Sequence, residues 1–273
     1  MIMHTYGREG APVILMLQPM GISAEMLYKL LGSKLKGDYH ILIPDMGGHG
    51  DEVGDFISAD IEAEHALLYL KSAGISEIAL LYGASIGAAV ALRMLDVPEL
   101  KVKNIFLDSA PVARFGYGVR KIFGPVVRMQ RALYMSSLNS DAKRKRQVEA
   151  QWGRELGDHI SKNFEAFSSE TLTNMVNSCV QGNMPAIPEE QQKHTFMEWG
   201  EYDVFSRISP KVVSFLYPDV NICVRPGYQY CEFMVKYTDR YVAFLDKIAS
   251  GKFEYREKRR ANARLKSAAC PAG

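Results

Sequence analysis

The stretch Ile78-Ala79-Leu80-Leu81-Tyr82-Gly83-Ala84-Ser85-Ile86-Gly87-Ala88-Ala89-Val90-Ala91-Leu92 decides the fold. Residues 78–82 form a continuous apolar run, the pattern of a strand buried on both faces. Residues 86–95 read as a helix whose first turns carry small side chains. Only Gly83-Ala84-Ser85-Ile86-Gly87 separates the two. A strand-to-helix turn this tight holds its central residue in a strained backbone conformation, and flanking glycines let neighbouring backbone approach. The expected result is a serine hydroxyl raised above the carboxyl edge of a sheet, at a helix N-terminus.

Working outward, further short apolar runs occur at Val13–Leu17, 41–43, 102–107, 195–199 and 220–224. Helical periodicity fills 24–35, 60–73, a short segment around 205–215, and 232–249. Ser58 is placed to cap the second of these helices, because the apolar stripe begins at Ile61. Strands alternating with helices on this scale predict an α/β fold, a mostly parallel central sheet flanked by helices. The alternation stops between 112 and 192, where the pattern is helical throughout. That interval reads as an inserted helical cap on a core made of 1–111 and 193–250. Residues 251–273, charged and then small, read as a flexible tail.

Composition excludes several classes. The 273 residues carry a net charge of +2, giving no reason to expect nucleic acid as a partner. Basic residues do gather at 114–146, and 117–133 has an apolar face opposite Arg120, Lys121, Arg128 and Arg131. A cap helix with a solvated basic face is the favoured reading of that segment, over a membrane-surface contact. No stretch has the length of a membrane span and no signal peptide is evident, so a cytoplasmic location is expected. The four cysteines lack metal-ligand spacing. No metal or other cofactor is expected, and although Cys223 and Cys231 are near enough in sequence to meet, reduced thiols are the simpler reading.

With these segments in place, the chain resembles the α/β-hydrolase superfamily, in particular its cap-bearing small bacterial serine hydrolases. Besides the turn at Ser85, Pro44-Asp45-Met46-Gly47-Gly48-His49-Gly50 is similar to a family loop of the form Asp-x-x-Gly-x-Gly. Phe196-Met197-Glu198-Trp199-Gly200-Glu201-Tyr202-Asp203 is similar to the strand and loop that deliver the acid of the catalytic triad. The resemblance implies Ser85 as nucleophile and Asp203 as the acid, with Asp108 in reserve. It implies the backbone amides of Met20 and Ile86 as oxyanion donors.

Two departures stand out. Where the family reads His-Gly-x-Gly after its third strand, this chain has Gln18-Pro19-Met20-Gly21, so Gln18 becomes a candidate substrate contact. Where the family places its general-base histidine, the matching stretch is Gly227-Tyr228-Gln229-Tyr230-Cys231-Glu232. Tyr230 takes the histidine's place, with Gln229 the nearest alternative. A phenol of ordinary pKa is only about a thousandth ionised at neutral pH, which makes it a poor base. His49, on a loop at the correct edge, and His159, in the cap, are the candidates for a displaced base. His4, His40 and His194 are expected at the opposite edge, and His65 on a helix face. Two functions are therefore carried forward. One is a serine hydrolase with an incomplete triad, acting on a small, mainly apolar ester, thioester or amide. The other is an inactive relative that binds a small ligand or partner.

Overall fold

The computed structural model describes residues 1–97, 100–112, 146, 149–180 and 184–253. The basic segment 117–133, most of the first half of the inserted interval, and the tail beyond 253 lie outside the described residues. Nine strands are described: β1 (Ile2–Gly7), β2 (Val13–Leu17), β3 (His40–Asp45), β4 (Glu77–Ile78), β5 (Leu80–Ala84), β6 (Lys101–Val102), β7 (Ile105–Asp108), β8 (Thr195–Gly200) and β9 (Asn221–Arg225). Seven form one sheet in the order β1-β3-β2-β5-β7-β8-β9, while β4 and β6 pair separately. Every neighbouring pair in the large sheet is parallel except β1 with β3.

The apolar runs become strands because alternate residues face two different cores. Leu15, Leu17, Leu81, Leu107 and Met197 pack against one set of helices, and Ile14, Met16, Leu80, Tyr82 and Phe106 against another. Helices α1 (Ala24–Leu30), α2 (Ala59–Ser72) and α3 (Ile86–Met94) follow the first strands, and α2 is capped by Ser58, whose Oγ accepts from the Ile61 amide at 3.2 Å. Later come α4 (Arg154–Ala166), α5 (Ser169–Val180), α6 (Glu189–Lys193), α7 (Ser209–Leu216), α8 (Glu232–Lys236) and α9 (Thr238–Ala249). The helix expected over 232–249 is broken at Tyr237, and Thr238 Oγ1 donates back to the carbonyls of Met234 and Val235.

Strand order places the site. The chain starts its parallel sheet at β2, crosses to β3 on one side, then returns to build β5, β7, β8 and β9 on the other. The direction of winding reverses between β2 and β5, where a doubly wound sheet opens a crevice beyond its carboxyl ends. Gln18–Gly21 leave β2 there, and Ser85 leaves β5 there. His4 corrects an expectation. Because β1 is antiparallel, His4 lies beside the carboxyl end of β3, with its Nε2 2.8 Å from Asp45 Oδ2, rather than at the opposite edge.

Candidate active site

Ser85 has φ 54° and ψ −115°, a conformation that an L-residue rarely adopts. Its amide donates to the Asp108 carbonyl at 2.9 Å, and its carbonyl accepts from Ala89 at 3.1 Å, so the strained residue is locked to β7 on one side and α3 on the other. The two flanking glycines are demanded by the backbone. A Cβ on Gly87 would sit 2.2 Å from the Leu17 carbonyl oxygen, and one on Gly83 would sit 2.7 Å from that of Gly87. The small residues read in the sequence are therefore what let β2 and β5 close against the start of α3.

Opposite Ser85 stands the loop 226–231. It is held against the end of β8, where a Cβ on Gly200 would lie 2.3 Å from the Gln229 carbonyl oxygen. The Tyr202 amide donates to the Tyr228 carbonyl at 2.9 Å, and the Gln229 amide donates to Glu232 Oε2 at 2.7 Å. From the inserted segment, Gln151 donates to the Tyr230 carbonyl at 3.1 Å and Trp152 packs edge-on to the Tyr230 ring. The half-buried Tyr230 thereby presents its hydroxyl to the side chain of Ser85. Gln229 is exposed.

The carboxyl groups lie behind. Asp203 is buried: its Oδ1 accepts from the Phe205 amide at 2.9 Å, while Oδ2 is buried with no hydrogen-bond partner among the described residues. Burial raises its pKa. Asp108, also buried, accepts from Ser109 Oγ at 3.0 Å and from the Tyr241 hydroxyl at 2.9 Å. Burial, reinforced by the charge of Glu198, pushes it well above the usual carboxylate range. Both candidate acids thus belong to one buried group. Gln18 is fully buried, and neither its Oε1 nor its Nε2 has a partner among the described residues.

Among solved structures the chain is similar to an α/β-hydrolase family protein of Desulfitobacterium hafniense, with a TM-score of 0.68 at 17% identity over 90% of this chain and 99% of the other. It is similar to MenH of S. aureus (0.67, 16%, 92% and 98%) and to the meta-cleavage product hydrolase of Pseudomonas fluorescens (0.57, 20%, 92% and 94%). The fold is that of the α/β-hydrolases. No protein-family model and no curated protein sequence matches the chain.

On this α/β-hydrolase frame, neither displaced-base candidate is free to serve. His49 Nδ1 donates to the Gly47 carbonyl at 3.2 Å and Nε2 accepts the Gly21 amide at 3.1 Å, so the imidazole clamps the loop that carries Met20. His159 Nε2 accepts from the Ser23 amide at 3.2 Å and from Asn163 at 2.9 Å. Burial holds the His49 pKa down to about 4. The unfolded residue titrates near 6.5, so between about pH 6.5 and 4 the unfolded chain binds a proton that the folded chain refuses. Stability is expected to fall as pH drops through that window, by about 3 kcal/mol from this residue. In chemical denaturation from pH 7 to 4, His49→Gln is expected to flatten that part of the slope; an unchanged slope would assign the loss to other groups.

The sequence did not single out Ser109, Cys231, Gln151 or Trp152. Ser109 and Cys231 share a backbone signature with Ser85, at φ 51° and 50°, which no local pattern announces. Cys179 and Cys231 are free thiols, so a Cys223–Cys231 bridge is not formed. His4, Asp45 and Asp51 bring potential metal-ligand atoms within 4.8 Å of one another. The oxygens of Asp45 are already engaged by the amides of Ala24 and Asp51 and by His4, which gives it a loop-holding role. Among the described residues, no helix is long and apolar enough to cross a membrane.

Proposed function

We propose that this chain is a serine hydrolase of the α/β-hydrolase fold, cleaving small, mainly apolar esters, thioesters or amides through Ser85 at a rate limited by its unusual base position. The observation that carries this reading is the strained conformation of Ser85, with the Tyr230 hydroxyl against its side chain. Strain of this kind costs on the order of 1–3 kcal/mol and persists where the surroundings enforce it, which is characteristic of active sites. In this reading Ser85 Oγ attacks the acyl carbon, and the amides of Met20 and Ile86 face the developing oxyanion. The buried, unpaired amide of Gln18 offers one donor and one acceptor to a polar group of the substrate.

A second reading is favoured by one specific observation. Burial pushes the Tyr230 phenol well above its ordinary range, so it stays protonated at neutral pH. A protonated phenol does not take the serine's proton by itself, and a protein of this kind would bind a small acyl ligand without turning it over.

Turnover of short p-nitrophenyl acyl esters separates the two. The hydrolase reading expects wild-type turnover clearly above that of Ser85→Ala, with no dependence on added metal. Identical rates in the two proteins would leave the binding reading standing.

A further inference from the structure

Gln18 is fully buried, and neither Oε1 nor Nε2 has a hydrogen-bond partner among the described residues. Burying a carboxamide in this way opposes folding, and folded proteins rarely keep one without a use for it. The loop that follows does not answer it, because its polar groups are engaged elsewhere. Pro19 has no amide, and its carbonyl accepts from Ile22 at 3.3 Å. The Gly21 amide donates to His49 Nε2 at 3.1 Å, and the Gly21 carbonyl accepts from Asn163 at 3.0 Å. The Ser23 amide donates to His159 Nε2 at 3.2 Å.

The residue stands beside the nucleophile turn. β2 and β5 are in register up to Leu17 and Gly83, so Gln18 comes next to Ala84, and Ser85 follows at once. Adjacent strands lie about 4.8 Å apart, a distance that one side chain spans. The Gln18 carbonyl oxygen would lie 2.7 Å from a Cβ on Gly87, which sets the residue against the first turn of α3. Ile14 and Met16 face the second core, and by the alternation of β2 Gln18 faces the same side. That core also holds Ile22, Ala84, Trp152 and Ile160, with Tyr230 packed at its edge. A polar side chain with two unanswered atoms therefore stands among apolar neighbours, one strand away from the proposed nucleophile.

Resting on the hydrolase reading above, we propose that Gln18 selects substrates whose acyl part carries a neutral carboxamide about two carbons from the scissile carbonyl. A carboxamide presents an N–H and a C=O side by side. Set against Gln18, it accepts from Nε2 and donates to Oε1, so one group satisfies both atoms. A ketone accepts from Nε2 but leaves Oε1 unpaired, and a hydroxyl meets both only with bent geometry. A carboxylate also leaves Oε1 unpaired, and it brings a charge against an apolar wall. Pairing of this kind discriminates strongly, because an analogue that lacks one partner strands a buried polar atom. The Met20 amide, two residues further on, faces the carbonyl oxygen of the same acyl group.

The test is calorimetric binding of three esters of equal chain length to Ser85→Ala: ethyl succinamate, ethyl levulinate and ethyl isocaproate. They end in a carboxamide, a methyl ketone and an isopropyl group. The carboxamide is expected to bind at least about tenfold more tightly than the isopropyl ester, with the ketone between them. Gln18→Leu in the same background is expected to abolish that order. It is also expected to melt no lower than its parent, because it removes an unpaired buried amide. A smaller preference, no measurable binding of the carboxamide, or an order that survives Gln18→Leu overturns the proposal. So does a melting temperature lowered by more than about 5 °C, which would show that Gln18 holds a structural partner. Ethanol release from ethyl succinamate by wild type tests the underlying reading separately. Binding selectivity with turnover no faster than that of Ser85→Ala would keep the recognition by Gln18 and overturn the hydrolase reading alone.

Discussion

Replacing Tyr230 with histidine is expected to raise turnover of short acyl esters at neutral pH by about 10²–10⁴-fold, the range that a well-placed general base contributes. The parts an imidazole needs are already present. The loop that carries Tyr230 is fixed at Gly200, Tyr202 and Glu232, and its side chain already meets that of Ser85. The charge of Asp203 acts on the Tyr230 hydroxyl, and Asp203 Oδ2 has no competing partner among the described residues. An imidazole at this position would receive the serine proton on one nitrogen and donate to Asp203 from the other. The change appears in kcat, because proton transfer belongs to the transition state and ground-state binding is little altered. Steady-state kinetics of the two proteins on one ester check it. A gain below about threefold would mean that Asp203 does not support a base at this position.

Arg225→Ala is expected to have the largest effect on stability, a loss of about 3–5 kcal/mol. Arg225 and Glu198 are both buried, and Nε and Nη2 donate to Glu198 Oε2 at 3.0 and 2.7 Å. The guanidinium also stacks on Phe233, 3.6 Å from the ring centre. Removing it strands a carboxylate next to Asp108, whose pKa is already raised by burial and then by the charge of Glu198. At about 2–4 °C per kcal/mol for a chain of this size, the melting temperature falls by about 10 °C. The double variant Glu198→Leu, Arg225→Met removes both charges and is expected to recover most of the loss, because the cost lies in the unpaired charge. Thermal melts of the single and double variants check this. A single variant within about 1 kcal/mol of wild type would show that water reaches Glu198 readily.

The parts of the site that were legible in the sequence share one property: their constraint is local. Gly83 and Gly87 are small because backbone oxygens lie where their Cβ atoms would be, and this shows as a motif between a strand and a helix. The position of Tyr230 on the loop before α8 was legible because that loop follows a recognisable strand. What escaped notice depends on distant segments meeting. Ser109 and Cys231 are 122 positions apart, and only the parallel stacking of β7, β8 and β9 brings their loops together. A strand at His4 was legible, but Ile2–Gly7 is half exposed at the sheet edge and no local pattern shows that it runs against its neighbour. Its antiparallel direction then moved His4 to the other end of the sheet. His49 was placed at the right edge, but its clamp on Gly21 is a contact between two loops that no spacing reveals.

A crystal structure of the protein treated with a fluorophosphonate tests the central claim most directly. The predicted result is continuous density from Ser85 Oγ to phosphorus, with the phosphonyl oxygen facing the amides of Met20 and Ile86 and the Tyr230 hydroxyl beside Oγ. An unmodified Ser85 in protein that remains folded would contradict the account, because the strained turn would then hold a hydroxyl with no activated chemistry.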